Sequence, residues 1–254
     1  MGLGVGRGQA FAQTTVPATV GAFSPALLPR ADWSFLWGTF INGDPRFAFD
    51  GRLVADIDLV NYGVGRSNLI VDYEAIISHE RRYFDLEAGN YVLEGSSSVH
   101  AGRVEISGVF HHESRHLVDR ENAGTISWNV TGVRVARRFA VGGATIDTAL
   151  DLGKVTQPAF VDYTWTSNLR IAARRPLARR AEAFGVINGD LVGVDRAKYG
   201  RERQCGARFE GGVRVVGTTG GLDLFAAYER RTDGFPTGLT RVRDVELGLR
   251  IATR

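Results

Sequence analysis

The sequence predicts an all-β protein: a single antiparallel transmembrane β-barrel of about 12 strands. Three observations predict it. Apolar and polar residues alternate with period two along segment after segment, so one face of each is greasy and the other charged. Many of these segments reach or exceed the ~9–11 residues that a tilted membrane-spanning strand requires. The connections also alternate, short on one side and long and charged on the other, as in bacterial outer-membrane barrels. A soluble β-sandwich would share the alternation, but not the strand length combined with that asymmetry.

Composition agrees. The chain has 254 residues, 44% hydrophobic and 23% charged, with 32 Gly and 7 Pro. Its formal charge of +3 is spread over many arginines rather than gathered into a stripe, which argues against nucleic acid as a partner. A single cysteine, Cys205, excludes a disulfide framework and a zinc ribbon. No apolar run approaches the ~18 residues of a transmembrane helix. Residues 1–12 read as a signal-peptide remnant, because Ala10-Phe11-Ala12 has the small-x-small form of a cleavage site. The preceding M-G-L-G-V-G-R-G-Q is too short and glycine-rich for an apolar h-region. Residues 13–32 form a polar, proline-containing lead-in, and 33–254 the barrel.

Within the barrel the first strand is expected at 33–42, rich in Trp33, Phe35, Trp37 and Phe40. The second, 46–60, sets Phe47, Phe49, Leu53, Ala55, Ile57 and Leu59 against Arg46, Asp50, Arg52, Asp56 and Asp58. The third, 67–79, sets Leu69, Val71, Tyr73, Ala75 and Ile77 against Asn68, Asp72 and Glu74. A fourth follows at 90–100, and later strands near 144–153, 161–173, 184–194, 205–216, 221–230 and 241–252. Turns near Ala101-Gly102, Gly142-Gly143 and Thr219-Gly220 are short. Two connections break the rule: a short loop after the first strand, and the segment R-R-P-L-A-R-R-A-E after the eighth, which reads as a long one. Its arginines, Arg174, Arg175, Arg179 and Arg180, suit either a solvated turn or anionic headgroups.

The chemistry gathers between Val104 and Val135. The fifth strand runs V-E-I-S-G-V-F-H-H-E-S-R-H; its apolar face, Val104, Ile106, Gly108 and Phe110, continues into His112, Ser114 and His116. After the loop L-V-D-R-E-N-A-G the sixth strand carries Ser127-Trp128-Asn129, with Asn129 sharing a face with Thr131, Val133 and Val135 and Trp128 opposite. With periplasmic termini the fifth strand runs outward, so the cluster faces lipid near the outer interface. Polar side chains there are costly and call for a function, unless the strand has already left the membrane. A serine, a histidine and an amide in this arrangement suit a nucleophile, a base and an orienting group.

His112-Glu113-Ser114 followed by Ser127-Trp128-Asn129 resembles the outer-membrane phospholipase A family, a twelve-stranded barrel with a lipid-facing Ser-His-Asn triad. The close match covers about 30 residues. The resemblance implies an acyl-ester hydrolase acting on envelope lipids, with Ser114 as nucleophile, His112 as general base and Asn129 fixing the imidazole tautomer. His116, spaced equally from Ser114, is the rival base. Calcium as cofactor and a homodimer follow from the resemblance only. Arg115-His116-Leu117 stands where that family has an Asn-Gly-Arg-like continuation, and the loop is longer, so neither set of contacts carries over. The site is also similar to lipid A deacylases, which use H-x-S with a carboxylate; here Asp119 or Glu121 would serve. H-E-S-R-H-L-V-D-R-E further resembles the H-x-S-S-H-L-G-D-E signature of an outer-membrane barrel family of no assigned activity, and a channel or structural barrel is the alternative function.

His112-Glu113-Ser114-Arg115-His116 is also formally H-E-x-x-H. Zinc binding through it needs a helix; on a strand the two histidines lie roughly 13 Å apart and Glu113 points away.

Overall fold

In the computed structural model, which describes residues 25–41, 44–118, 125–231 and 242–253, the chain forms twelve antiparallel strands closed into one barrel. They are β1 (Ala26–Phe40), β2 (Phe49–Asn61), β3 (Arg66–Ser78), β4 (Asp85–Ala101), β5 (Val104–Leu117), β6 (Thr125–Val141), β7 (Ala144–Val155), β8 (Tyr163–Ala178), β9 (Ala181–Val194), β10 (Gln204–Val216), β11 (Gly220–Arg231) and β12 (Val242–Thr253). Each strand pairs with its sequence neighbour. β1 closes on β12 in the register Ser34↔Ala252 to Phe40↔Glu246, so no edge remains unpaired.

The period-two pattern decides which face looks where. Leu53, Val71, Leu93, Phe110, Val133, Leu152, Leu169, Phe209, Leu224 and Leu247 are exposed on the outer wall, a belt unsuited to water and suited to hydrocarbon. Charged residues at the alternate positions are buried in the lumen. There Arg208 meets Glu210 and Glu229 at 3.1 Å and Glu246 at 2.7 Å, while Asp223 holds Arg214 at 2.6 Å and Arg250 at 3.3 Å. Arg231 of β11 reaches Glu74 of β3 at 2.7 Å, bridging strands that are not sheet neighbours. Removing one partner from such a pair strands a buried charge at a cost of about 3–5 kcal/mol. Leu36, Ala172, Phe184, Val186, Phe225 and Ala227 add an apolar layer contributed by β1, β8, β9 and β11. Side chains therefore fill much of the interior.

The loop asymmetry is sharper than the sequence suggested. Connections on one side span 62–65, 102–103, 142–143, 179–180 and 217–219; those on the other span 41–48, 79–84, 118–124, 156–162, 195–203 and 232–241. Gly142 and Gly143 both adopt positive φ (56° and 77°), which lets two residues close a hairpin in the twist-compatible sense. The stretch read as a long connection after β8 is instead the ends of two strands. Pro176 cannot donate to the ladder, and the register shifts between Pro176 and Ala178 before a two-residue turn.

Other boundaries differ as well, and β4 begins at Asp85 rather than near residue 90. β1 begins at Ala26 rather than near Trp33, because Arg30 faces inward onto Asp56 (2.7 Å) and Asp58 (3.0 Å) after an irregularity at Leu27/Arg30. β6 runs to Val141. Phe47, expected on the outer face of the second strand, precedes β2 and is buried with Phe40, Ile76, Ala88 and Leu117 at the long-loop end of the barrel. The proposed signal-peptide remnant lies outside the described residues.

Candidate functional site

β5 places its alternation directly in the site. Inward, His111, Glu113 and Arg115 are buried: His111 Nδ1 lies 3.1 Å from Glu94, and Arg115 donates to Glu113 at 3.1 Å. Outward, His112, Ser114 and His116 are half-buried on the lipid-facing surface near the long-loop end. The ladder sets His112 opposite Asn129, Ser114 opposite Ser127 and His116 opposite Thr125 on β6. On the other flank it sets Leu93 opposite His112 and Tyr91 opposite Ser114 on β4. Glu113, only 1% exposed, points away from both histidines. The H-E-x-x-H reading therefore fails for the reason strand geometry gives.

Two separate hydrogen-bonded chains lie side by side on this panel, and Ser114 belongs to the one that holds His116, not His112. His112 Nδ1 lies 2.6 Å from Asn129 Oδ1, and Asn129 Nδ2 donates to Gln157 Oε1. An Nδ1–H donated to Asn129 leaves Nε2 of His112 as a free acceptor. The second chain joins Ser114 Oγ to His116 Nε2 at 3.2 Å and His116 Nδ1 to Thr125 Oγ1 at 3.1 Å. Tyr91 packs edge-on against His116 with ring centroids 5.4 Å apart, and Tyr73 packs on Tyr91 at 4.8 Å. The site is thus one serine between two imidazoles, each held at its far nitrogen by a β6 side chain.

The structure brings together four of the residues singled out from sequence: His112, Ser114, His116 and Asn129. Asp119 and Glu121 lie outside the described residues. Gln157, Thr125 and Tyr91 carried no sequence signal, since they reach the site through ladder register and not through a motif. The segment after β7 brings Gln157 in by lying along β6: Thr156 N donates to Asn129 O (2.9 Å), and Ser127 and Ala159 exchange backbone bonds at 3.1 and 2.7 Å. Trp128 turns inward, 2% exposed, and meets Tyr163 edge-on at 5.1 Å amid Ile126, Val130, Val155, Val161 and Val192. That apolar cluster anchors the end of β6 that carries Asn129.

No family model and no curated protein sequence matches the chain. Solved structures do. The outer membrane phospholipase A from Escherichia coli aligns at TM-score 0.53 and 9% identity over 91% of this chain and 94% of its own. OmpT, an outer membrane protein of Vibrio cholerae, aligns at TM-score 0.46 and 8% identity over 93% and 99%. A monoaromatic hydrocarbon channel, CymD, aligns at TM-score 0.46 and 7% identity over 88% and 87%. The chain is an outer-membrane β-barrel. At these identities the likeness is one of fold. With the outward apolar belt and the loop asymmetry, the fold is that of a bacterial outer-membrane protein, and the candidate site lies at the long-loop end of its outer wall.

Proposed function

We propose that the protein is a serine-type acyl-ester hydrolase of envelope lipids, acting on phospholipid or lipid A from the barrel's outer surface. The observation that carries this reading is a lipid-facing serine, Ser114, flanked by two imidazoles whose far nitrogens are both held. Such a polar cluster on a face that is otherwise apolar is costly in a membrane and has no counterpart in the lumen's ion pairing. Ser114 Oγ attacks the ester carbonyl carbon and gives its proton to His112 Nε2. The tetrahedral adduct collapses by breaking the C–O bond to the leaving alkoxide, which takes that proton back. Water, deprotonated by the same imidazole, then adds to the acyl-serine, and the C–Oγ bond breaks with the imidazolium returning the proton to Ser114 Oγ as the fatty acid leaves. Asn129 holds the Nδ1–H tautomer throughout and stabilises the imidazolium.

A second reading of the base follows from the 3.2 Å contact between Ser114 and His116, which makes His116 the base and Thr125 its orienting group. In the first reading that contact is a resting rotamer, and rotation about one serine bond brings Oγ toward His112. A non-catalytic barrel is the remaining alternative. A fluorophosphonate probe tests the proposal directly: it should label wild-type protein at Ser114, as read by peptide mass spectrometry. Absence of labelling on folded protein counts against an activated serine.

The direction of the Asn129–Gln157 hydrogen bond gives a sharper expectation for the His112 chain. Gln157→Glu still accepts from Asn129, and Asn129→Asp can accept from a reoriented Gln157 amide, so each alone should keep hydrolysis within about threefold. The double variant places two carboxylates together and should fall about a hundredfold. Additive small effects in a hydrolysis assay would show that Gln157 is a bystander.

A further inference from the structure

The outer wall carries a second polar feature, remote from the serine, on the periplasmic side. Arg103, Arg137, Arg175, Arg179 and Arg180 are all exposed there, on three consecutive hairpins. Arg103 lies in the β4–β5 turn and Arg179-Arg180 form the β8–β9 turn. Arg137 and Arg175 occupy outward positions of β6 and β8, in phase with Val133, Val135, Leu169 and Ile171. They lie five and four residues above their turns. At ~3.3 Å per residue and a strand tilt of ~35–45°, that is roughly 10–13 Å, near the level where the inner leaflet's hydrocarbon meets its headgroups.

These five differ from the lumen's arginines in one respect. Arg52, Arg66, Arg134, Arg208, Arg214, Arg231 and Arg250 each bind a carboxylate of this chain. Arg103, Arg137, Arg175, Arg179 and Arg180 have none among the described residues. Neighbouring acids face the lumen: Glu105 is taken by Arg66, and Asp147 by Arg138 (2.5 Å) and Arg174 (3.2 Å). Glu182, at an even position of β9, shares the inward parity of Phe184 and Val186. Arg137 lies over the Phe139 ring at 4.6 Å, Phe139 being two residues nearer the turn, so its head is drawn toward the interface. The feature is also one-sided. The periplasmic turns of the opposite arc, Tyr62-Gly63-Val64-Gly65 and Gly217-Thr218-Thr219, carry no charge.

We infer that this arc is a binding surface for the phosphates of anionic phospholipids in the inner leaflet. Guanidinium groups at headgroup depth with no protein counter-charge match phosphate in both geometry and sign. Every periplasmic-side arginine that has an acid available turns inward to it, so these five are left to ligands from outside the chain. Binding there fixes the barrel's rotation and depth relative to the inner leaflet. It stands independently of the catalytic reading.

The test is native mass spectrometry of the barrel released from nanodiscs of equal phosphatidylglycerol and phosphatidylcholine, with Ser114→Ala introduced so that no lipid is turned over. The anionic lipid should be retained at least about fivefold over the zwitterionic one, the scale expected of a single arginine at an anionic surface. Replacing all five arginines by Gln should bring the ratio to about one. Should that variant not fold, as judged by heat-modifiable gel mobility, Arg179→Gln with Arg180→Gln, both in a turn, should still lower the ratio at least twofold. Arg203→Gln, on the extracellular side, should leave it unchanged. Equal retention of the two lipids by the parent protein, or a ratio indifferent to the arginine substitutions, overturns the proposal.

Discussion

Ser114→Ala is expected to lower release of fatty acid from phospholipid or lipid A by about 10³-fold or more while leaving the barrel intact. The chemical loss is large because, among the described residues, Ser114 is the hydroxyl that β5 itself sets between the two imidazoles. Ser127, directly across the ladder, has its backbone tied to Ala159 and no bond to either histidine. The structural cost is small. Ser114 is half-buried on the lipid face, and among the described residues its side chain bonds His116. Alanine on that face suits hydrocarbon at least as well as serine. Heat-modifiable mobility should therefore be unchanged, which separates loss of chemistry from loss of fold.

His112→Ala is expected to cost about 10³-fold, in the range for losing a general base, and His116→Ala less than about tenfold. The asymmetry rests on what each imidazole is held by. His112 is linked at 2.6 Å to an amide that is itself fixed by Gln157, and its other nitrogen has no partner among the described residues. His116 already spends both nitrogens, one on Ser114 and one on the exposed Thr125. Asn129→Ala should fall between, about 10–100-fold, since it removes one charge-assisted orienting bond of ~1.5–3 kcal/mol. The opposite order, with His116→Ala severe and His112→Ala mild, would keep the hydrolase and move the base to the Ser114–His116–Thr125 chain.

How much of this was legible in the sequence depends on the length scale of the signal. Strand identity and facing were legible because a pleated strand between lipid and a charged lumen imposes period two at every step. Leu69, Val71 and Tyr73 could hardly face elsewhere while Asp72 and Glu74 meet Arg52 and Arg231. Strand ends were less legible where polar residues belong to a strand for reasons of partner rather than pattern. Arg30 is held in β1 by acids of β2, and the arginine-rich end of β8 with its turn looks like a loop in composition. In the site, parity alone placed His112, Ser114, His116 and Asn129 outward. The choice of serine partner was not legible, since i−2 and i+2 are equivalent on a strand. Gln157 was not legible either, because its approach depends on the β7–β8 connection folding back along β6.

The measurement that bears most directly on the account is fatty-acid release by the purified, detergent-refolded wild-type barrel from mixed micelles of phosphatidylethanolamine and phosphatidylglycerol, run in parallel with lipid A. Release from at least one of the two lipids is expected, linear in enzyme and abolished by Ser114→Ala. Folded barrel that releases nothing from either, with or without added calcium, would contradict the hydrolase reading and leave a non-catalytic outer-membrane barrel.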